Sequence, residues 1–219
     1  MRGELGPLYA DLHVHSTYSR DSLLSPDRIV KLSLRRGLGA VAVTDHDTVR
    51  GGLETRRAAR GTPLIVVPGV EVRTPLGDVT LLMAEEEPGT RDPLELRDVA
   101  RESEAILLLP HPLRGHRAVR ALARLVDVVE ALNGRTPRRL NLLAMRLAAS
   151  LGKPVSAGSD AHCCLELGCV RLALSAPVDD EEDLRRALLR GEGRLVGRES
   201  VPLVHVVSGL TQVVRGLWG

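Results

Sequence analysis

The stretch DLHVHSTYSRDS, residues 11–22, starts inside an apolar run and continues into polar residues. The run Leu8–Val14 is short and mostly apolar, which predicts a β-strand with histidines at its end. Side chains two positions apart on a strand point to the same face. We therefore expect His13 and His15 to reach one metal ion together.

Four later segments repeat this design, because in each an apolar strand is followed at once by His, Asp or Glu. They are TDHD at 44–47, GVE at 69–71, Pro-His-Pro at 110–112 and GSDAH at 158–162. The carboxyl ends of parallel barrel strands converge on one face, so these side chains are expected to meet in one pocket. Histidine and carboxylate groups are suitable ligands for Zn²⁺, Mn²⁺ or Fe²⁺.

Strand-like and helix-like patterns alternate between and beyond these segments. The predicted strands are Leu8–Val14, Ala40–Thr44, Leu64–Val72, Val79–Ala84, Ile106–Leu109, Val126–Ala131, Pro154–Ala157 and Arg171–Leu174, with a turn at 75–78. One helix is predicted to begin at Pro26, a second to end at Arg60 and a third to end near Ala105. Four more helices are predicted over Arg117–Leu125, Pro137–Leu151, Asp180–Arg190 and Val201–Leu217. The alternation favours an α/β fold with a parallel sheet, either open or closed into a barrel.

The composition fits one soluble domain. A chain of 219 residues does not demand a second domain, and 43% apolar residues without any Phe predict an aliphatic core. The net charge of +2 does not suggest a nucleic-acid coat or a membrane-surface protein. The sequence shows no apolar leader and no run of 18 apolar residues, so we expect a cytoplasmic protein that does not enter a membrane.

Three cysteines, Cys163, Cys164 and Cys169, lie within seven positions. An odd number so closely spaced is a poor disulfide framework and fits a reducing compartment. Adjacent thiols cannot easily share one zinc ion, which favours small buried cysteines over metal ligands.

The motifs DLHVHSTYSRDS, TDHDT, PGVEV, the His111-Pro112 pair and GSDAH resemble those of the PHP (polymerase and histidinol phosphatase) family in order and approximate spacing. The resemblance implies one α/β domain over residues 1–219, folded as a distorted TIM-like (β/α)7 barrel with seven strands. It also implies two or three divalent ions, Zn, Mn or Fe. The implied reaction is hydrolysis of a phosphate ester, such as histidinol phosphate, a nucleotide or a nucleic-acid end.

The resemblance also implies how the metal ligands are divided. The first ion would be held by His13, His15, Glu71 and Asp160, and the second by Asp21, His46 and His162. Glu71 would bridge to a third ion that His111 also holds. Relatives supply a further His for that ion, but residues 77–80 read GDVT and residues 130–139 contain no His. This third site is expected to be empty, weak, or completed by His116 or water.

The expected catalyst is water activated by the metal ions, with His13, His15, Glu71, Asp160 and His162 as the catalytic set. Asp45 or Asp47 could orient a ligand histidine. Arg73, Arg114 and Arg135 follow strand ends and are candidates for binding the substrate phosphate, although surface positions explain them equally well. His205, in the predicted final helix, is expected to be structural.

Two other functions remain open. A metal-dependent amidohydrolase also uses His-x-His and a late Asp, but often needs a carbamylated lysine, and the chain has only Lys31 and Lys153. A non-catalytic barrel subunit that binds RNA or protein would be expected to have lost its ligands. The sequence does not determine the substrate, the metal or the oligomeric state.

Overall fold

The computed structural model describes residues 6–200 and contains nine strands and six helices in that range. The strands are β1 Leu8–Val14, β2 Ala40–His46, β3 Ile65–Thr74, β4 Gly77–Leu82, β5 Ile106–Leu109, β6 Val128–Asn133, β7 Val155–Gly158, β8 Val170–Leu174 and β9 Gly193–Gly197. The helices are α1 Pro26–Arg35, α2 Arg50–Ala58, α3 Pro93–Glu102, α4 Val119–Leu125, α5 Arg138–Ser150 and α6 Glu181–Arg190. The predicted helix Val201–Leu217, with His205, lies outside the described residues.

All nine strands belong to one mixed sheet, in the order β7-β6-β5-β4-β3-β2-β1-β8-β9. The pairs β1–β2, β2–β3, β5–β6 and β6–β7 are parallel, whereas β3–β4, β4–β5, β1–β8 and β8–β9 are antiparallel. The α/β class is confirmed. Contrary to expectation, the sheet is not wholly parallel and does not have seven strands. A hairpin and two antiparallel strands late in the chain also join it.

The sheet is a nearly closed barrel, because the chain after β7 returns to the end of β1. The Asp160 N–H donates to the His13 carbonyl oxygen over 2.8 Å, and the His15 N–H donates to the Ala161 carbonyl oxygen over 2.9 Å. Val14 and Ala161 form an isolated parallel bridge. These bonds place the end of β1 directly beside the segment that follows β7.

The antiparallel β3–β4 pair has a local cause, which the sequence indicated. The turn predicted at 75–78 closes a hairpin between β3 and β4, in which the paired residues run from Gly69 opposite Leu82 to Thr74 opposite Gly77. Gly77 has φ of 128°, a left-handed backbone that glycine adopts without strain. Strand β9 was not predicted, because five residues with glycine at both ends carry too little alternation to indicate a strand.

The core is aliphatic, as the composition predicts. Buried Leu, Val, Ile and Ala side chains form three clusters: one includes residues of α6, a second includes residues of α3, α4 and α5, and a third includes residues of α1. Burying such side chains stabilises the fold by about 25 cal/mol per Å² of apolar surface removed from water. In the described part of the chain, every helix is too short or too polar to cross a bilayer.

Candidate metal centre

The ends of β1 and β3 and the loop after β7 bring four candidate ligands together. His13 Nε2 lies 3.1 Å from His15 Nε2, 3.5 Å from Glu71 Oε2 and 3.8 Å from Asp160 Oδ1. His15 Nε2 lies 3.4 Å from the same two carboxylate oxygens. All four side chains are buried. This set is the one that the family resemblance assigns to the first ion.

A second group adjoins the first. Asp21 Oδ2 lies 3.2 Å from His162 Nε2 and 3.6 Å from His46 Nε2. The other ring nitrogen of His46, Nδ1, lies 3.3 Å from Glu71 Oε2. His15, His46 and His162 also offer nitrogen atoms within 4.8 Å of one another. Glu71 therefore lies between the two groups, where a bridging carboxylate would have to be.

The third group contains an acid that the sequence reasoning did not single out. His111 Nε2 lies 2.9 Å from Glu71 Oε1, and Asp78 offers a carboxylate oxygen within 4.8 Å of ligand atoms on both. His116 was the alternative, but its ring nitrogens face the carbonyl oxygens of Asp78 and Arg114 at 2.9 and 3.2 Å. Asp78 is therefore better placed than His116 to complete this group.

The donor chemistry of the cluster fits divalent cations. Two imidazole nitrogens 3.1 Å apart, with two carboxylate oxygens beside them, direct four ligand atoms at one small volume once both nitrogens are unprotonated. A cation that accepts all of them removes their mutual repulsion, and nitrogen with carboxylate oxygen is a set that Zn²⁺, Mn²⁺ and Fe²⁺ bind.

Two of the candidate ligands sit on strained backbone. His111 has φ of 26° and Asp160 has φ of 55°, in the left-handed region that non-glycine residues rarely adopt. Such a conformation costs on the order of 1–3 kcal/mol and persists only where surrounding contacts enforce it. Both residues lie shortly after the end of a strand, so the strained backbone is part of the ligand cluster.

Outside the proposed ligands, the carboxylate of Glu130 contacts a ligand histidine, and no pattern in the sequence indicated this role. Its Oε1 lies 3.0 Å from His13 Nδ1. Asp45 was expected to orient a histidine directly, but it accepts hydrogen bonds from Ser16 and Ser19, and Ser19 Oγ lies 3.3 Å from His15 Nδ1. Asp45 thus acts on His15 through Ser19.

Two further buried acids hold the loops of the cluster. Asp11 accepts hydrogen bonds from the backbone and hydroxyl of Ser159 and from the Gly168 N–H. Glu166 accepts from the backbone N–H groups of His162 and Cys163. Only Asp11 carried a usable signal in the sequence, since it opens the first motif. Asp47, the other candidate for orienting a histidine, forms an ion pair with Arg91 at 3.0 Å.

The three candidate phosphate-binding arginines have different positions. Arg114 forms an ion pair with Asp160 Oδ2, and Arg135 Nη1 lies 2.8 Å from His162 Nδ1. Both arginines therefore contact the ligand cluster. The Arg73 side chain is 72% exposed, with its Nε 3.9 Å from Asp78 Oδ1. Arg73 is thus at the surface beside the third group.

Charges within the cluster shift its pKa values in opposite directions. Burial lowers the pKa of His13, but Glu130, Asp160 and Glu71 outweigh it and hold that pKa well above the usual value. Burial and the neighbouring histidines lower the pKa of His15 to about 3. Burial also opposes ionisation of Glu71, yet His13 and His111 hold its pKa well below the usual value. The Glu71 carboxylate thus remains charged and available to a cation.

The cysteines lie beside the cluster without joining its ligands. Cys163 is buried, Cys164 and Cys169 are half-buried, and all three are free thiols. Burial raises the pKa of Cys169 to about 12. A thiol this hard to ionise is a poor ligand, because metals bind the thiolate.

A model of the PHP domain matches residues 11–132, more than half of the chain. The chain belongs to the PHP domain family. A second model, PHP-associated, matches residues 138–192. The resemblance drawn from the motifs is thereby confirmed.

Two relatives are similar to parts of the chain. An uncharacterized protein of Methanocaldococcus jannaschii is 32% identical over 172 residues, which cover 72% of this chain and 67% of that protein. A 5′-3′ exoribonuclease of Haemophilus influenzae is 41% identical over 64 residues, covering 29% of this chain and 23% of that protein. The similarity to the nuclease is therefore confined to a small part of its length.

Solved structures share the fold of this PHP chain. PsfC from Pseudomonas syringae superposes with a TM-score of 0.68 at 17% identity, covering 96% of this chain and 99% of that one. A protein of Bifidobacterium adolescentis, assigned as a metal-dependent phosphoesterase, superposes with a TM-score of 0.56 at 18% identity, covering 83% of this chain and 96% of that one. At such identities the likeness concerns the fold alone.

Proposed function

We propose that this PHP chain is a metal-dependent hydrolase that cleaves a phosphate ester, either a phosphomonoester such as a nucleotide or histidinol phosphate, or a nucleic-acid end. The proposal rests on one observation, the convergence of eight side chains with metal-ligand chemistry at one end of the barrel. These side chains are His13, His15, Asp21, His46, Glu71, His111, Asp160 and His162.

Seven of these side chains form two ligand sets, and the Glu71 carboxylate is shared between the two sets. We assign His13, His15, Glu71 and Asp160 to one ion, and Asp21, His46 and His162 to the other. Glu71 Oε2 contacts histidines of both groups, which supports its role as the bridge. Two close divalent ions, when bound, lower the pKa of a shared water molecule and neutralise phosphoryl oxygens.

Arg114 and Arg135 are the proposed contacts for the substrate phosphate. Each guanidinium already touches the cluster, through Asp160 and His162 respectively. A guanidinium presents several N–H donors in a plane and can bind two phosphate oxygens at once. Arg73 is a weaker candidate, because its side chain is largely exposed and lies beside Asp78.

The relatives support this choice of substrate class. The Haemophilus influenzae relative is named a 5′-3′ exoribonuclease, and the Bifidobacterium adolescentis structure is assigned as a metal-dependent phosphoesterase. Both names describe cleavage at a phosphate ester. They support phosphate-ester chemistry and leave the choice between a small molecule and a nucleic-acid end to experiment.

The amidohydrolase alternative is less well supported. Lys153 Nζ donates to the Val126 carbonyl oxygen, which lies between α4 and β6, before the strand begins and away from the strand ends that carry the ligands. Lys31 lies on α1. Neither lysine is placed to bridge two ions, whereas Glu71 is. A non-catalytic binding role is also disfavoured, because nearly every ligand side chain that the resemblance implies is retained.

The test is a hydrolysis panel with the purified full chain. The chelator-treated protein should be reloaded with Mn²⁺, Zn²⁺ or Fe²⁺ and assayed on phosphomonoesters, dinucleotides and short oligonucleotides, with an amide substrate as comparison. We expect hydrolysis of at least one of these phosphate esters, seen as released phosphate or released nucleotide, and this hydrolysis should need an added metal. Metal-dependent cleavage of the amide alone would replace the proposal with the amidohydrolase alternative.

A further inference from the structure

Strand β6 contributes no ligand to the cluster, yet it carries two fully buried polar side chains. Glu130 is 1% exposed and Asn133 is 0% exposed. Burying a charged carboxylate is costly unless hydrogen bonds or charges compensate it. The compensating partners of these two residues therefore indicate what the strand does.

The backbone of β6 is irregular at this point. Its pairing with β7 changes register between Glu130–Ser156 and Leu132–Ala157, as expected for one extra residue in β6. In a regular strand, residues three apart point to opposite faces. Here Asn133 Nδ2 lies 2.9 Å from Glu130 Oε2, so the two side chains meet. The irregularity thus brings both polar groups to the ligand cluster.

Glu130 and Asn133 bond to three ligand residues from three segments. Glu130 Oε1 lies 3.0 Å from His13 Nδ1, and Glu130 Oε2 accepts from the His111 N–H over 2.7 Å. Asn133 Nδ2 also lies 3.3 Å from Asp160 Oδ2. One pair of side chains therefore ties together residues that β1, β5 and β7 deliver to the cluster.

We propose that Glu130 is a positioning residue that holds the proton of His13 on Nδ1, leaving the Nε2 lone pair for a metal ion, and that Asn133 anchors Glu130. This proposal rests on the metal binding assumed in the proposed function. Nε2 is the nitrogen that faces His15, Glu71 and Asp160. Partners of this kind fix the tautomer and ring orientation of a ligand histidine.

The substitution Glu130→Gln tests the tautomer with almost no change in shape. An amide has one acceptor, and the Oε2 position faces two donors, the His111 N–H and Asn133 Nδ2. The amide oxygen should therefore occupy that position, and the NH₂ should face His13 Nδ1. The His13 proton would then have to move to Nε2, which blocks that nitrogen as a ligand.

Metal affinity should therefore fall in Glu130→Gln while the fold is retained. We expect the Kd for Zn²⁺, measured by chelator competition, to rise about 10–100-fold. Glu130→Asp keeps the charge and should recover part of this loss. Ser156→Ala is the matched control: Ser156 is buried, pairs with Glu130 across β6–β7, and its hydroxyl has no partner among the described residues. The control should bind zinc as wild type does.

A spectroscopic measurement separates positioning from general support. In zinc-loaded, ¹⁵N-histidine-labelled wild type, we expect a slowly exchanging downfield proton on His13 Nδ1, absent from Glu130→Gln. Wild type without that proton, or folded Glu130→Gln with unchanged zinc affinity, would overturn the inference. Because the wild-type spectrum needs no substitution, it decides the matter even if Glu130→Gln does not fold. Zinc binding with no phosphate-ester hydrolysis would reject the proposed function and leave this inference intact.

Discussion

His13 Nε2, in β1, and His15 Nε2, one residue beyond the end of β1, lie 3.1 Å apart, and Glu71 Oε2 lies within 3.5 Å of both. Because alternate side chains of a strand share a face, β1 delivers two nitrogen donors to one point. The carboxylate comes from β3, two strands away in the sheet. Side chains distant in sequence thus form one set of candidate metal-ligand atoms.

Replacing Asp160 should remove metal and activity together. Asp160 Oδ1 lies 3.4–3.8 Å from the Nε2 atoms of His13 and His15, and no water can replace its charge. We expect Asp160→Ala to weaken metal binding by more than ~100-fold, beyond the loss typical of residues that only orient a ligand. Metal content after dialysis and hydrolysis rate measure this. Asp98→Ala, at an exposed position of α3, is the control. Full metal content in Asp160→Ala would exclude Asp160 as a ligand.

A third ion should bind more weakly than the other two. Its group contains Glu71, His111 and Asp78, and the Asp78 side chain is 27% exposed, so water competes for the site. We expect His111→Ala and Asp78→Asn to reduce hydrolysis while about two metal ions per chain remain bound. Elemental analysis of dialysed protein gives the count. Three ions retained by wild type, and all lost in His111→Ala, would contradict this order of affinity.

Arg114→Ala and Arg135→Ala should impair substrate use more than metal binding. Hydrogen bonds to a charged group are worth about 1.5–3 kcal/mol, which corresponds to a ~10–100-fold lower kcat/KM for a phosphate ester. Arg73→Ala, whose side chain is largely exposed, should change kcat/KM by less than about threefold, as expected for a surface substitution. If Arg73→Ala lost as much as the other two, the phosphate would have to bind on the Asp78 side of the cluster.

Gly158→Ala should disturb both stability and the cluster. A Cβ at this position would lie 2.2 Å from His13 Cβ and 2.7 Å from Glu130 Oε1. Overpacking of this kind costs about 1–3 kcal/mol, so we expect a lower melting temperature and weaker zinc binding. Gly6→Ala meets no atom within 4 Å and serves as the control. A melting temperature and zinc affinity equal to wild type would show that β1 and β7 can separate at this point.

The candidate ligands were predictable from the sequence because their signal is local. All except Asp21, which only the resemblance to the PHP family implied, lie in segments where His, Asp or Glu follows an apolar run, and the His13-x-His15 and Asp160-x-His162 spacings indicate shared faces without knowledge of the fold. The α/β class was predictable for the same reason, since strand and helix periodicities are properties of short segments. The resemblance to the PHP family followed from the order of these segments along the chain.

The tertiary structure alone decided the strand count, the closure and the supporting residues. Strand β9 and the antiparallel pairs β1–β8 and β8–β9 depend on hydrogen bonds between segments far apart in the sequence, which no local pattern encodes. Glu130 looks like an ordinary acid in an apolar run until an irregularity in β6 brings it to His13. Asp78 likewise becomes a candidate ligand only because the β3–β4 hairpin carries it to Glu71 and His111. The sequence thus indicated most of the groups proposed to bind metal, whereas the packing of distant strands added Asp78 and decided which groups hold the others in place.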